Sequence, residues 1–104
     1  MFARVERFTE PALLLLLRER PAHGYDLLER LPELTGEQRV EMGNLYRLLR
    51  ALEEEGLVRS EWADGKRTYE LTDPGRSLLD QWVHALRKSQ ERTDRFIERY
   101  EERR

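Results

Sequence analysis

The chain has 104 residues, of which 38% are charged and 38% hydrophobic, and its formal net charge at pH 7 is −2. This length suits one small domain. Because the chain has no cysteine, disulfide scaffolds, thiolate catalysis and cysteine-ligated zinc sites are excluded. The apolar run 12–17 is far too short to span a bilayer, and the charged N-terminal residues are unlike a signal peptide. We therefore expect a cytoplasmic protein without a membrane partner.

The first part of the chain is predicted to contain two helices. The segment TEPALLLLLRERP begins with Thr9 or Glu10 as a cap, carries a proline in its first turn and ends at Pro21. Its continuous leucines indicate a helix that is buried on most sides. The segment HGYDLLERL begins a second, shorter helix, whose entry His23 caps or stiffens. The following segment, PELTGEQRVEMG, is broken at Gly36 and is predicted to be a connection.

A third helix is predicted from about residue 43 to residue 55. Its apolar residues follow the i, i+3, i+4, i+7 spacing of a helix with one buried face: Leu45, Leu48, Leu49 and Leu52. Gly56 is expected to end it as a C-cap glycine. With the leucines inward, the residues predicted to point outward are Gly43, Arg47, Arg50 and Glu54, with Tyr46 on one flank.

After Gly56 the pattern changes from helix to strand. The segments LVRSEW and RTYEL are rich in β-branched and aromatic residues, and they flank ADGK. The pair Asp64-Gly65 predicts a tight hairpin turn, with Lys66 and Arg67 beside its tip. The segment TDPG then starts a last helix over roughly 74–100, capped by its threonine or aspartate.

Three helices followed by a two-stranded hairpin is the order of a winged helix-turn-helix. We predict a mainly α fold with a small β-hairpin (α+β) and a long C-terminal dimerisation helix. Residues 1–72 would form a DNA-binding domain, with 1–8 as an N-terminal arm or short helix, and 73–104 the dimerisation helix. In this architecture the third helix enters the major groove, and the hairpin tip contacts the backbone or the minor groove.

The cations of the third helix and the hairpin suit this role despite the acidic total. Arginine can form a bidentate pair with guanine and asparagine with adenine, so Arg47, Arg50 and Asn44 are candidate base readers. Lys66 and Arg67 suit phosphate or narrow minor-groove contacts. The alternative is that the exposed arginines are simply solvated, with Arg50 and Glu54 forming an i, i+4 pair.

The chain also resembles the PadR-like transcriptional regulators. The resemblance rests on the blocks LLLLLRERPAHGYDLLERL, NLYRLLRALEEEGLVRSEW and KRTYELTDPGRSLLDQW, and it covers about 12–82. The C-terminal helix matches the short members that have a single such helix. The resemblance implies a dimer that binds operator DNA, usually as a repressor. It also implies a set of DNA-contacting residues: Asn44, Tyr46, Arg47, Arg50, Lys66 and Arg67.

The last helix carries a separate apolar pattern. A seam with alternating spacings of three and four is formed by Leu79, Trp82, Leu86, Ser89, Thr93, Phe96 and Tyr100. This stripe is too broad for the partner surface of one small domain, so we predict a homodimer through Leu79, Trp82, Leu86 and Phe96. Two-fold symmetry then predicts a roughly palindromic site. The alternative is that the helix folds back on its own domain. Phe2, Val5 and Phe8 are expected to join the interface.

Resemblance further implies that a small aromatic effector can enter the dimer interface beside Trp82, although a tryptophan in such a seam is more often part of a core. His23 and His84 lack the spacing of metal ligands, and no cofactor is expected. The alternative to a capping role for His23 is contact with a phosphate. An enzyme is not expected, because no nucleophile–base pair or glycine-rich phosphate loop is found. The rival function is a dimeric winged-helix adaptor that binds an acidic protein instead of an operator.

Overall fold

The fold consists of five helices and three strands over the residues that the computed structural model describes, 8–36 and 40–102. The elements in chain order are α1 (Thr9–Glu19), β1 (Ala22–His23), α2 (Gly24–Arg30), α3 (Pro32–Thr35), α4 (Met42–Glu54), β2 (Val58–Ala63), β3 (Lys66–Leu71) and α5 (Asp73–Glu102). The predicted fold class is confirmed. Of the predicted N-terminal arm, only Phe8 lies within the described residues, where it packs against the core.

The core is built mainly from leucines, and α1 lies at its centre. As its sequence predicted, α1 is buried on most sides; its buried residues are Pro11, Ala12, Leu13, Leu14, Leu16 and Leu17. The inner face of α4 contributes Leu45, Leu49 and Leu52, each almost fully inaccessible, while Leu48 is half-buried. The predicted helical face is therefore the one that packs, and its burial supplies most of the helix's stability.

The starts of the first two helices differ in how they are capped. The prediction that Thr9 or Glu10 caps α1 was wrong, since Phe8 occupies the N-cap position and no side chain accepts a hydrogen bond there. Glu10 instead accepts a hydrogen bond from Trp82 of α5. At α2 the prediction is confirmed, because the Asp26 backbone N–H donates to His23 Nδ1 at 3.3 Å.

The connection after α2 contains a short helix that the sequence analysis assigned to irregular chain. Pro32 stands at the start of this element, α3, where its fixed backbone angle and missing N–H are tolerated. The predicted third helix is therefore α4, and its observed bounds differ from the predicted ones by one residue at each end. Gly56 follows α4 with a φ of 78°, the left-handed conformation predicted for a C-cap glycine.

The strands form a three-stranded antiparallel sheet in the order β1-β3-β2. Ala63 pairs with Lys66 across a two-residue turn, and Asp64 and Gly65 have φ values of 53° and 76°. Positive φ at both positions matches the turn that the Asp-Gly pair predicted. Strand β1 was not predicted, because two residues are too few to show an alternating pattern. It exists because Ala22 lies opposite Tyr69 on β3.

Helix α5 begins inside the domain and then leaves it. Thr72 provides the cap, as its Oγ1 accepts from the Gly75 N–H at 3.1 Å and donates to the Gly56 carbonyl at 2.7 Å. The helix has 30 residues, a length of about 45 Å. Because its far end projects from the domain, the molecule is elongated, with principal dimensions of 60 × 27 × 21 Å. Among the described helices, none combines the length and apolarity needed to cross a membrane.

Candidate nucleic-acid interface

The outer face of α4 is open to solvent along its length. Residues Gly43, Arg47, Arg50 and Glu54 are all exposed, as predicted from the helical period. Tyr46 lies on the flank with 38% of its surface exposed, and its ring covers Gly24 at the start of α2. A Cβ at position 24 would lie 2.6 Å from the Tyr46 hydroxyl oxygen, so glycine at this position permits the close approach of α4 and α2.

The polar residues of this face are joined into a short chain along the helix. Arg47 Nη1 donates to Asn44 Oδ1 at 2.9 Å, and Asn44 Nδ2 donates to Glu41 Oε1 at 3.4 Å. Arg50 forms no hydrogen bond or ion pair within the described residues, so the alternative pairing with Glu54 is not formed there. Exposed contacts of this kind contribute little to stability, so they can be exchanged for contacts to a ligand at small cost.

The hairpin of β2 and β3 (58–71), which we call the wing, presents one face to α4. Strand alternation and the observed register place on this face Ser60, Trp62, Arg67 and Tyr69. Arg67 Nη1 donates to Ser60 Oγ at 3.0 Å, and its guanidinium carbon lies 5.2 Å from the centre of the Trp62 ring. Ser60 Oγ in turn lies 2.9 and 3.0 Å from the two carboxylate oxygens of Glu53 on α4. Arg67 is exposed but already bound to other residues of the wing, whereas Lys66 makes no such bond within the described part of the chain.

Between α4, the start of α2 and the wing lies an open groove of about 600 Å³. It brings together four of the residues predicted to contact DNA: Tyr46, Arg50, Lys66 and Arg67. Asn44 and Arg47 lie beyond the groove on the outer face of α4. The groove walls combine cations with aromatic rings, a composition that suits the phosphates and the sugar faces of a nucleic acid.

Tyr69 lies on the floor of the groove with only 5% of its surface exposed. Burial raises the pKa of its phenol above the ordinary value of about 10. The unfolded phenol then ionises first as the pH rises, so the folded state loses stability from about pH 10 upwards and keeps this contribution in full below it. We expect Tyr69→Phe to flatten the alkaline loss of stability and to remove one late step from the tyrosinate absorbance titration. Identical titrations for the two proteins would contradict this assignment.

The residues predicted for dimerisation fall into two groups on α5. Leu79 is buried in the core of its own domain, and Trp82 is half-buried against it, with Nε1 donating to Glu10 Oε1 at 3.0 Å. Leu86 is half-buried, and Phe96 is 74% exposed. The alternative that the helix folds back on its own domain is thus what the structure has for the first part of α5, while the far end stands free of the domain.

Three further side chains of the groove had no role predicted from the sequence. Trp62 is 65% exposed, Tyr25 is also exposed, and Glu53 links α4 to the wing. The period of two in the hairpin would have placed Trp62 on the same face as Ser60. The link to Glu53 left no local signal, because it joins residues in different elements.

The comparisons agree with this architecture. The model of the family described as the transcriptional regulator PadR-like family matches residues 13–81. A candidate transcriptional regulator from Thermoplasma acidophilum is 32% identical, with a TM-score of 0.71 over 84% of this chain and 87% of that one. A transcriptional regulator from Clostridium thermocellum has a TM-score of 0.80 over 90% of this chain and 97% of that one, but at 19% identity it supports the fold alone.

PadR of Bacillus subtilis, solved in complex with operator DNA, is 30% identical with a TM-score of 0.63. The alignment covers 74% of this chain but 46% of that protein, so the likeness concerns less than half of the relative. No match was found among curated proteins. The family model, which covers residues 13–81, spans well over half of the chain. This protein is therefore a member of the PadR-like family of transcriptional regulators.

Proposed function

We propose that this protein regulates transcription by binding a specific operator sequence in double-stranded DNA as a homodimer. The observation that carries the proposal is the open outer face of α4, where Arg47 and Arg50 are exposed and nothing in the described protein covers them. The 30% identical Bacillus subtilis relative, solved with operator DNA, supports the same role here. Residues 1–72 would then act as the DNA-binding domain.

In this proposal α4 enters the major groove and its first turns meet the bases. Asn44 and Arg47 release their mutual hydrogen bond and turn to base edges, each able to discriminate by about 1–3 kcal/mol. Arg50, which has no partner to release within the described residues, reaches a base or the neighbouring phosphate. Tyr46 contacts the backbone from the flank, and Lys66 adds a cation from the wing. The free N–H groups at the start of α4 favour a phosphate there.

Dimerisation is proposed to use the part of α5 that leaves the domain, within 73–104. Phe96, Ile97 and Tyr100 are exposed apolar side chains at helical spacing, and a second copy would bury them. Leu86 would join them at the edge of the domain. Leu79 and Trp82 would not contact the second copy directly. They would fix the direction of α5, since they hold its first turns against α1. A two-fold dimer would place the two α4 helices in grooves about 34 Å apart, on a roughly palindromic site.

Repression follows if the occupied operator overlaps the site where transcription starts, and this sign of regulation comes from the family resemblance alone. A small aromatic effector is proposed to enter beside Trp82, whose half-buried ring leaves part of its surface accessible. Such a ligand would release the operator by shifting α5 against α1, because the Trp82–Glu10 hydrogen bond joins these two helices.

The test is a selection of bound sequences from a random duplex pool, followed by affinity measurements at increasing salt. We expect a palindromic motif with half-sites about one helical turn apart, and a linear fall of log K with log salt. Absence of enrichment, with weak binding that disappears by about 0.2 M salt, would contradict operator recognition and favour the adaptor function.

A further inference from the structure

The wing carries an exposed aromatic side chain that does not belong to the hydrophobic core. Trp62 is 65% exposed and lies on a groove wall, opposite Arg67 in the strand register. Tryptophan usually buries most of its large apolar surface, so an open ring beside cations indicates a surface that a ligand covers. Two further cations line the same groove, Arg50 and Lys66, and neither has a hydrogen bond or ion pair within the described residues.

Three polar residues hold this ring in place relative to α4. The Ser60 hydroxyl donates its one proton to the Glu53 carboxylate and accepts a hydrogen bond from Arg67 Nη1. The Arg67 guanidinium then lies over the Trp62 ring, within the range of a cation–π contact. The ring is thereby tied to the helix that faces the ligand, so little conformational freedom is lost when it binds.

The same contacts change the role expected of Arg67. Its guanidinium donates a hydrogen bond to Ser60 and makes a cation–π contact with the Trp62 ring. Ser60 in turn is hydrogen-bonded to the Glu53 carboxylate. Lys66, the next residue, has none of these partners. A phosphate approaching the wing would therefore meet Lys66 as the available cation.

We propose that Trp62 packs against the sugar-phosphate backbone of one strand of the bound duplex, and that Arg67 is a positioning residue that holds the ring. This inference rests on the proposed function. In it, α4 contacts the bases of one DNA strand, and the backbone of the neighbouring DNA strand lies in the groove between α4 and the wing. The flat indole covers the apolar faces of deoxyriboses, while Lys66 and Arg50 neutralise the flanking phosphates. Such contacts fix the position of the protein on the duplex and carry no sequence information.

The first experiment uses the two tryptophans of the chain as separate reporters. Trp82→Phe leaves Trp62 as the only tryptophan, and Trp62→Phe leaves only Trp82; excitation at the red edge of the absorbance band avoids the tyrosines. The probe is a mixed-sequence duplex of roughly 30 base pairs, long enough for two half-sites, at about 50 mM salt. We expect saturating duplex to quench Trp62 emission strongly and to leave Trp82 emission nearly unchanged, because only Trp62 lies in the groove.

The second experiment compares charge removal at the two adjacent wing cations. Lys66→Gln should lower the magnitude of the salt slope by about one for each phosphate that the lysine neutralises. Arg67→Gln should leave the slope unchanged and weaken binding only through the ring. Trp62→Ala should weaken binding by about tenfold, because the apolar surface that the ring would bury against the sugars is lost. In the Trp62→Ala background Arg67→Gln should have no further effect, since the ring that it positions is gone.

Each remaining outcome counts against the inference. Binding that leaves Trp62 emission unchanged would overturn the ring contact, and a slope change for Arg67→Gln equal to that for Lys66→Gln would make Arg67 a phosphate ligand. If the unchanged protein bound no duplex at all, both the proposed function and this inference would be wrong. If Trp62→Ala bound the duplex as well as the unchanged protein, only this inference would be wrong.

Discussion

Replacing Arg47 and Arg50 together by alanine is expected to lower duplex affinity by about a hundredfold or more, with fold and dimer unchanged. Each arginine can contribute about 1–3 kcal/mol through a bidentate base contact, and each also contributes charge toward the phosphates. Both side chains are exposed, so their removal leaves no cavity and no buried polar group. The measurement is the equilibrium affinity for the selected operator, with circular dichroism and sedimentation to verify the fold and the mass.

The matched control is Lys88→Ala with Arg95→Ala, which also removes two positive charges. Both residues are exposed on α5, seven positions apart and off the apolar seam. We expect this control to bind nearly as well as the unchanged protein. Equal losses for the two double variants would mean that total charge matters and that α4 is not the reading helix. Full binding by the Arg47 and Arg50 variant would refute its assignment directly.

Replacing Gly75 by alanine is expected to destabilise the domain by about 2–3 kcal/mol, although alanine normally favours a helix. An added Cβ would lie 2.1 Å from the Leu57 carbonyl oxygen and 2.6 Å from Leu71 Cδ1. The same carbonyl accepts a hydrogen bond from the Thr72 N–H at 3.2 Å, so it cannot move away without loss. The start of α5 would have to shift away from the link between α4 and β2. Thermal unfolding at a fixed protein concentration measures the effect.

The control for this prediction is Gly43→Ala on α4. Gly43 is also helical and exposed, and a Cβ at its position would meet nothing within 4 Å. Alanine there is expected to raise stability by up to about 1 kcal/mol, since only the helix propensity changes. A Gly75→Ala protein as stable as the unchanged one would show that α5 can move at its start, and the tight packing of this corner would not be needed.

The residues that organise this fold lie mostly in patterns of short range, which is why the sequence predicted them. The leucine spacing of α4 identified both its buried face and the outward position of Arg47 and Arg50. The Asp64-Gly65 pair predicted the turn because so few residues accept positive φ there. His23 and Gly56 were recognised because a cap and a C-cap glycine act on backbone groups within a few residues.

Other features depend on which elements meet, and helical or strand periods do not contain that information. The seam of α5 was seen in the sequence, but the period alone did not distinguish a partner subunit from the domain itself. The structure places Leu79 and Trp82 against the core, because the Thr72 cap directs the first turns of α5 along α1. Phe96 lies too far along the helix for its own domain to cover it.

The sequence by itself determined the order of the four longer helices and of the two hairpin strands, the inner and outer faces of α4 and the position of the cations. Each of these follows from neighbours within a turn or a strand, whereas the two-residue strand β1 and the short helix α3 were not predicted. Only the tertiary structure decided that Arg67 is held by Ser60 and faces Trp62, and that Glu53 joins the wing to α4. The physical reason is that a hydrogen bond between two elements depends on how their backbones dock, and docking is set by the shared leucine core and not by local spacing.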